Sequence, residues 1–447
     1  MDYFEVGVLL HCLIFVLSFT LLFFYGVRIK RVSCYFIINS CCGLYLGLIP
    51  LIYIFVFDRF VNELYWIPAH IAITDFQRDS IFSTSIICLL GYISILVGYK
   101  SGKNRSTLNG LSVNEGFRYV KKARAFCFIF GPISAVALLV YINSFGGIME
   151  TILSASLVRR HDGAVSSYTA LRYVYPLVQP VAIFSFGLFL VTRKKIDLIL
   201  FLLFFSFTFL FLLINAGRAN IVVFLGTLLL GYLSYKNRFS LIRLLPFLVV
   251  GLLLALYGND FFSMLAGEAY FFNTDIDKVL LLLAKEFSHV YVNLLKVHSF
   301  TLGSGTSSIL YFQDIVSSLL ELLPGGLEKN LFPHTVNPTK INTINFKPPE
   351  GTGIIVDLLT YGYYQLGLPG VIMCCFVYGF IFSKVDCYFM RFRTVFHCLI
   401  LVWFGFFAMG VFNSLEIKSI VLSRSSYWLP VVYLLFRINW GVRSKYA

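Results

Sequence analysis

Five arginines, Arg159, Arg160, Arg172, Arg218 and Arg424, lie in or beside the short turns between long apolar runs. A guanidinium presents a planar fork that suits the paired oxygens of a phosphate, and at membrane depth a cation without a partner is costly. For any one of them, snorkelling to the interface is the ordinary alternative. Arg218 stands out, because it is central in the turn Asn215-Ala216-Gly217-Arg218-Ala219-Asn220. Groups able to take a proton near such arginines are His334 and His289, ranked ahead of Glu286 and Glu350, with His161, His298 and Asp357 behind them. An ordinary histidine pKa near 6.5 leaves the ring largely neutral at neutral pH. His334 falls in a Pro/Asn/Gly-rich segment of the sort that folds over a ligand. No His/Cys ligand cluster is present; Asp275 and Asp277 read as helix-start chemistry, so neither a metal nor any other cofactor is expected.

The chain that must position these groups is far too apolar for a soluble protein. Of its 447 residues 58% are hydrophobic and 13% charged, with a mean hydropathy of +0.82. The net charge of +14 comes from small basic clusters between apolar runs, which points to membrane topology and away from nucleic acid. All ten cysteines lie in or beside those runs, so no disulfide framework is expected. The first run has no basic segment before it and no small-residue cleavage site, and is expected to stay as a helix.

The expected fold is an all-α polytopic membrane protein of about eleven spans, each near the length that crosses a hydrocarbon core. They are read at 4–25, 35–57, 81–99, 125–145, 173–192, two flanking the 215–220 turn, 241–257, 369–382, 394–415 and 427–439. Placing the clusters around Arg28, residues 100–124, Arg193, Lys236, Arg391 and the C-terminus in the cytoplasm puts the N-terminus and residues 259–368 outside. The chain thus divides into spans in 1–258, a long periplasmic loop over 259–368 with short amphipathic helices, and spans in 369–447. Within the loop, Lys278, Lys285, His289, Asn293 and Lys296 share one face of a helix ending near Val297, which reads as lying on the membrane surface. A second helix is expected over 307–323, stopped by Pro324-Gly325-Gly326. Residues 353–367 turn apolar again and dip toward the membrane.

This layout, with Ala216-Gly217-Arg218-Ala219-Asn220 opening a helix and Gly351-Thr352-Gly353 followed by residues 361–370 before the next span, resembles the Wzy family of bacterial polymerases of O-antigen and related polysaccharides. Gly217-Arg218-Ala219-Asn220 and Ser423-Arg424 are similar to positions in the family's enterobacterial common antigen branch. The resemblance implies an enzyme in the bacterial inner membrane. It would transfer a growing glycan from undecaprenyl diphosphate to a new carrier-linked repeat unit on the periplasmic face, during lipopolysaccharide biosynthesis. It implies membrane lipids and a chain-length-regulating co-polymerase of the Wzz type as partners. Arg160, Arg172, Arg218 and Arg424 would hold the diphosphate, His334, His289, Glu286 or Glu350 would take the acceptor proton, and Tyr361, Tyr363 and Tyr364 would offer faces for sugars. Members of the family often carry arginines in the long loop, where this chain has lysines only. An O-antigen ligase shares the donor and the arginines. A lipid-linked oligosaccharide flippase would need charges along its spans, which are nearly charge-free here.

Overall fold

The computed structural model describes residues 2–28, 31–60, 80–103, 113–159, 169–215, 218–265, 276–304, 309–320, 338–346, 354–392 and 394–443. Among them all regular structure is helical. An apolar run in hydrocarbon must satisfy each backbone N–H and C=O within itself, and a helix does so. The first spans are α1 (Tyr3–Arg28), then α2 (Cys34–Cys42) and α3 (Ile49–Phe60) joined by a π-helical turn at Gly43–Leu48, and α4 (Ile81–Gly102). Next come α5 (Val113–Asn143), the short α6 (Ile148–Arg159), α7 (Val178–Thr192), α8 (Lys195–Ile214), α9 (Arg218–Tyr235) and α10 (Leu241–Leu265). The segment read as a long loop contributes α11 (Ile276–Phe287), α12 (His289–Ser304), α13 (Gln313–Leu320), α14 (Pro338–Phe346) and α15 (Leu358–Leu366). The chain ends with α16 (Leu368–Phe389), α17 (Val395–Asn413), α18 (Ile417–Val421) and α19 (Ser425–Arg443).

Nine helices among the described residues are long and apolar enough to cross a membrane, and they coincide with nine of the expected spans. The other two expected spans fall on α10, whose apolar stretch is shorter, and on α19; each has a proline inside. Large apolar side chains such as Phe24, Phe128 and Ile199 stand 61–64% exposed on the outside of the bundle, where lipid would cover them.

The tightest crossing is α4 on α16. A Cβ at Gly98 would lie 2.1 Å from the Phe376 carbonyl oxygen, and one at Gly379 would lie 2.2 Å from that of Ile95. Only glycine lets the two backbones approach so closely, the usual device where lipid leaves no hydrophobic drive between helices.

The bundle has two chemically distinct ends. At one, Asp386 of α16 caps α2 by accepting from the N–H groups of Cys34 (2.8 Å) and Tyr35 (3.0 Å) and from the Tyr99 hydroxyl. Arg124 pairs with Asp197 at 3.2 Å there, among the basic clusters. At the other end, Gly7 of α1 lies against Ile81 and Phe82, and α4 touches the loop helices through Ser83 and His298. The N-terminus and the long loop therefore share one end.

The loop helices correct one expectation. The chain breaks at Ser288, and from Val290 to Val297 every residue of α12 is buried, with Tyr291 and Leu295 at 0% exposure. A surface helix shows water or lipid one side; α12 is enclosed from Val290 to Val297, and its Asn293 faces protein. Asn293 donates to Ile355 O (2.8 Å) and to Asp357 Oδ2 (3.3 Å). The second loop helix also starts later than expected, at Gln313, because Leu310 and Tyr311 donate their N–H groups to the carbonyls of Tyr364 and Gln365. Tyr311 and Phe312 are left-handed there, with φ of 47° and 61°. Helix α15 is buried against α16, in keeping with a segment that turns in toward the bundle.

Candidate functional site

Arg218 is the first residue of α9, not the middle of a loop: α8 ends at Ile214, and the turn is correspondingly tighter. Its side chain is 9% exposed and lies along α10, where a Cβ at Gly258 would meet Arg218 Cδ at 2.4 Å. A helix N-terminus carries partial positive charge, so the guanidinium and the dipole favour an anion together.

Arg172 sits in the tight turn Thr169–Tyr173 that leads into α7. Its Nη2 is 3.4 Å from Tyr141 Oη and its guanidinium carbon 5.9 Å from that ring's centroid. Arg424 follows α18, and its Nη1 donates to Ser414 O at 3.1 Å. Burial pulls its pKa below the ordinary value, partly offset by Tyr427 and Glu416. Arginine stays charged even so, and a desolvated guanidinium is a strong partner for an oxyanion.

Short contacts join these three mouths. Ser425 Oγ, next to Arg424, donates to the carbonyl of Tyr173, next to Arg172, at 3.3 Å. Tyr175 Oη donates to Asn215 Oδ1 at 3.3 Å, three residues before Arg218, while its ring packs 4.9 Å from that of Tyr141. The loop carrying Arg424 is fixed to the loop helices where Leu415 N–H donates to Val356 O at 2.8 Å. Three arginines far apart in sequence are thus gathered at one end of the bundle. Arg160 lies outside the described residues, and of Arg159 only the backbone is described.

Of the proposed bases, His334 and Glu350 lie outside the described residues, and Glu286 is described in its backbone alone. His289 is the first residue of α12 and half-buried, its ring edge-on to Tyr45 at 5.8 Å. Tyr45 also packs 6.3 Å from Phe412, in the last turn of α17, and the Ser414 that follows this helix accepts from Arg424. His289 is therefore the one of the four whose side chain is described, two aromatic rings removed from the helix end that Arg424 bonds.

Two expectations need correction. Tyr361 and Tyr364 are 3% and 7% exposed, with no open ring face for a sugar. Their hydroxyls donate to Asp314 Oδ2 (2.9 Å) and Asn342 Oδ1 (3.0 Å). Asp357 is not a free base either but the N-cap of α15. Its Oδ1 accepts from the N–H groups of Leu359 and Thr360 at 3.0 Å each, and its Oδ2 from Thr360 Oγ1 (2.6 Å) and Asn293. Burial outweighs these donors and pushes its pKa up to about 6. The same effect raises Asp314, which accepts from Gln365 Nε2 at 2.7 Å. These groups form a polar core that fixes α12 to α15; Asn293, Asp357, Tyr361 and Tyr364 stand out in the sequence, but Asp314, Asn342 and Gln365 do not, nor does a pairing that spans up to 64 positions. Among the described residues, no group of three or more His, Cys, Asp or Glu side chains is placed to hold a metal ion.

Fold and site together define an all-α polytopic membrane protein with the buried Arg218 and the half-buried Arg172 and Arg424 gathered at the end that carries its long loop. No protein-family model, curated protein or solved structure matches the chain.

Proposed function

We propose that the protein is a Wzy-type polymerase of lipid-linked oligosaccharide repeat units. In this reading it lies in the bacterial inner membrane with the loop end in the periplasm, and works beside a Wzz-type co-polymerase. The observation that carries the reading is the meeting of Arg172, Arg218 and Arg424 at linked helix mouths. Charge of that kind at membrane depth suits a lipid diphosphate, whose negative head is held at the interface by its own tail.

In the reaction a hydroxyl of the acceptor repeat unit attacks the anomeric carbon of the donor glycan, and the bond from that carbon to the diphosphate oxygen breaks. The arginines offset the charge that grows on the leaving diphosphate. His289 takes the proton of the attacking hydroxyl. Substrate and transition state differ mainly in charge at the bridging oxygen, so arginines pre-set around it stabilise the second more than the first.

The test is gel analysis of lipopolysaccharide from a deletion strain and from the strain complemented with the gene. Core carrying one repeat unit, restored to a ladder by complementation, is the expected result. Carrier-linked polymer would instead mark a ligase, and bare core a flippase.

A further inference from the structure

Ser83, His298 and Tyr363 come from α4, α12 and α15 and form one hydrogen-bonded line. Ser83 Oγ is 2.7 Å from His298 Nε2, and His298 Nδ1 is 2.9 Å from Tyr363 Oη. The two rings stand edge-on, 5.7 Å apart at 89°, which holds the imidazole plane. His298 is buried at 9% exposure, while Ser83 is half-buried.

The protons can be placed in two ways. Ser83 Oγ also lies 3.0 Å from Ser80 O, and a hydroxyl has one proton to give. In the first arrangement Ser83 donates to Ser80 and accepts from His298 Nε2–H, while Tyr363 donates to Nδ1. In the second Ser83 donates to Nε2, and Nδ1–H donates to Tyr363 Oη. The second is the order nucleophile, base, orienting group that serine-based acyl transfer requires. Burial lowers the His298 pKa, which keeps the ring neutral and able to accept. Ser83 also falls in the first turn of α4, where backbone N–H groups have no acceptor within the helix and the dipole is positive. Both favour an oxyanion next to the hydroxyl.

We propose that Ser83 is the nucleophile of a second, acyl-transfer site that takes carboxylic esters at the loop end of the bundle. Ser83 Oγ bonds to the ester carbonyl carbon and its proton passes to His298 Nε2. The carbon–oxygen bond to the alcohol then breaks, and the departing alkoxide takes the proton from His298. The acyl-serine is resolved by water or a sugar hydroxyl, which gives its proton to His298 as it attacks; Ser83 recovers that proton on leaving. The ester is an acyl group on a sugar or on a membrane lipid. The site shares no residue with the arginine cluster and does not depend on the polymerase reading.

The direct test is labelling of the full-length protein in membranes with a fluorophosphonate probe, which bonds to an activated serine with loss of fluoride. Expected is a label that peptide mapping locates on Ser83, with a rate that rises with pH as His298 loses its proton. His298→Gln should slow it by about 100-fold or more, the usual worth of a positioned base. Tyr363→Phe should move the midpoint of the pH profile while the label stays on Ser83. Release of p-nitrophenol from the acetate ester alone identifies a small acyl group, and release from the palmitate ester in micelles identifies a lipid. An unlabelled parent protein, a label on another serine, or turnover of neither ester overturns the proposal, and the mapping does so without requiring that any variant fold.

Discussion

Arg218 is the side chain on which the proposed chemistry rests most heavily, and the geometry says why lysine cannot replace it. The aliphatic stem passes α10 in space left by Gly258, and a fork that bonds two oxygens at once is lost when a single ammonium stands in its place. A charge-assisted hydrogen bond is worth about 1.5–3 kcal/mol, so Arg218→Ala and Arg218→Lys should each reduce polymer by roughly 10–100-fold at unchanged protein level. Normal ladders from Arg218→Ala at equal expression would remove it from the site. Asp357 makes a prediction of another kind. Its carboxyl is raised from 3.8 to about 6, so the fold favours the protonated form. Its contribution is therefore greatest below about pH 4 and is lost as pH rises through 6, on the order of 3 kcal/mol in all. Asp314 acts in the same direction, while Lys296, lowered to about 8, and His298 act in the opposite one. Melting temperatures of the parent and Asp357→Asn should therefore be compared at pH 5 and pH 7.5. The gap between them should shift toward the variant at the higher pH; a constant gap would show that Asp357 does not titrate there.

At the level of helices, hydropathy makes the spans legible, because a run of about twenty apolar residues has few other uses. The hairpin at Arg218 was legible for the same reason, being a short polar break between two such runs. Helix α12 was not. Its His289, Asn293 and Lys296 continue the spacing of a wetted face begun by Lys285 of α11, but in a polytopic bundle the same spacing serves a helix whose polar Asn293 bonds to protein. Tyr361 and Tyr364 misled in a similar way, since an aromatic beside glycine looks like a binding platform until its hydroxyl proves to be committed to Asp314 or Asn342. Which glycines are tight contacts is also invisible in sequence. Gly98→Ala should drive its methyl group into the Phe376 carbonyl and lower the yield and melting temperature of the purified protein. Gly251→Ala, whose added carbon meets only Val222 at 3.5 Å, should leave both unchanged. Equal stability of the two variants would mean that α4 and α16 are not held as described.

For the whole molecule, the shared end of the N-terminus and the loop helices gives a topology test. With the basic clusters in the cytoplasm, alkaline phosphatase fused at Asn337 should be active and fused at Arg105 inactive. The reverse pattern would turn the molecule over and leave the arginines on the wrong side for a carrier presented in the periplasm.

Enclosure of α12 also fixes an order of events during biosynthesis. The partner of Asn293 is Asp357, 64 residues further along the chain. At about 5–20 residues per second, α12 waits several seconds before α15 and α16 exist to receive it. During that interval the apolar stretch from Val290 to Val297 must remain unassembled, and a ribosome stalled before Asp357 would leave it exposed to proteases and chaperones. A helix of the loop end thus takes its seat only after a span that follows it in the chain, α16, has been made.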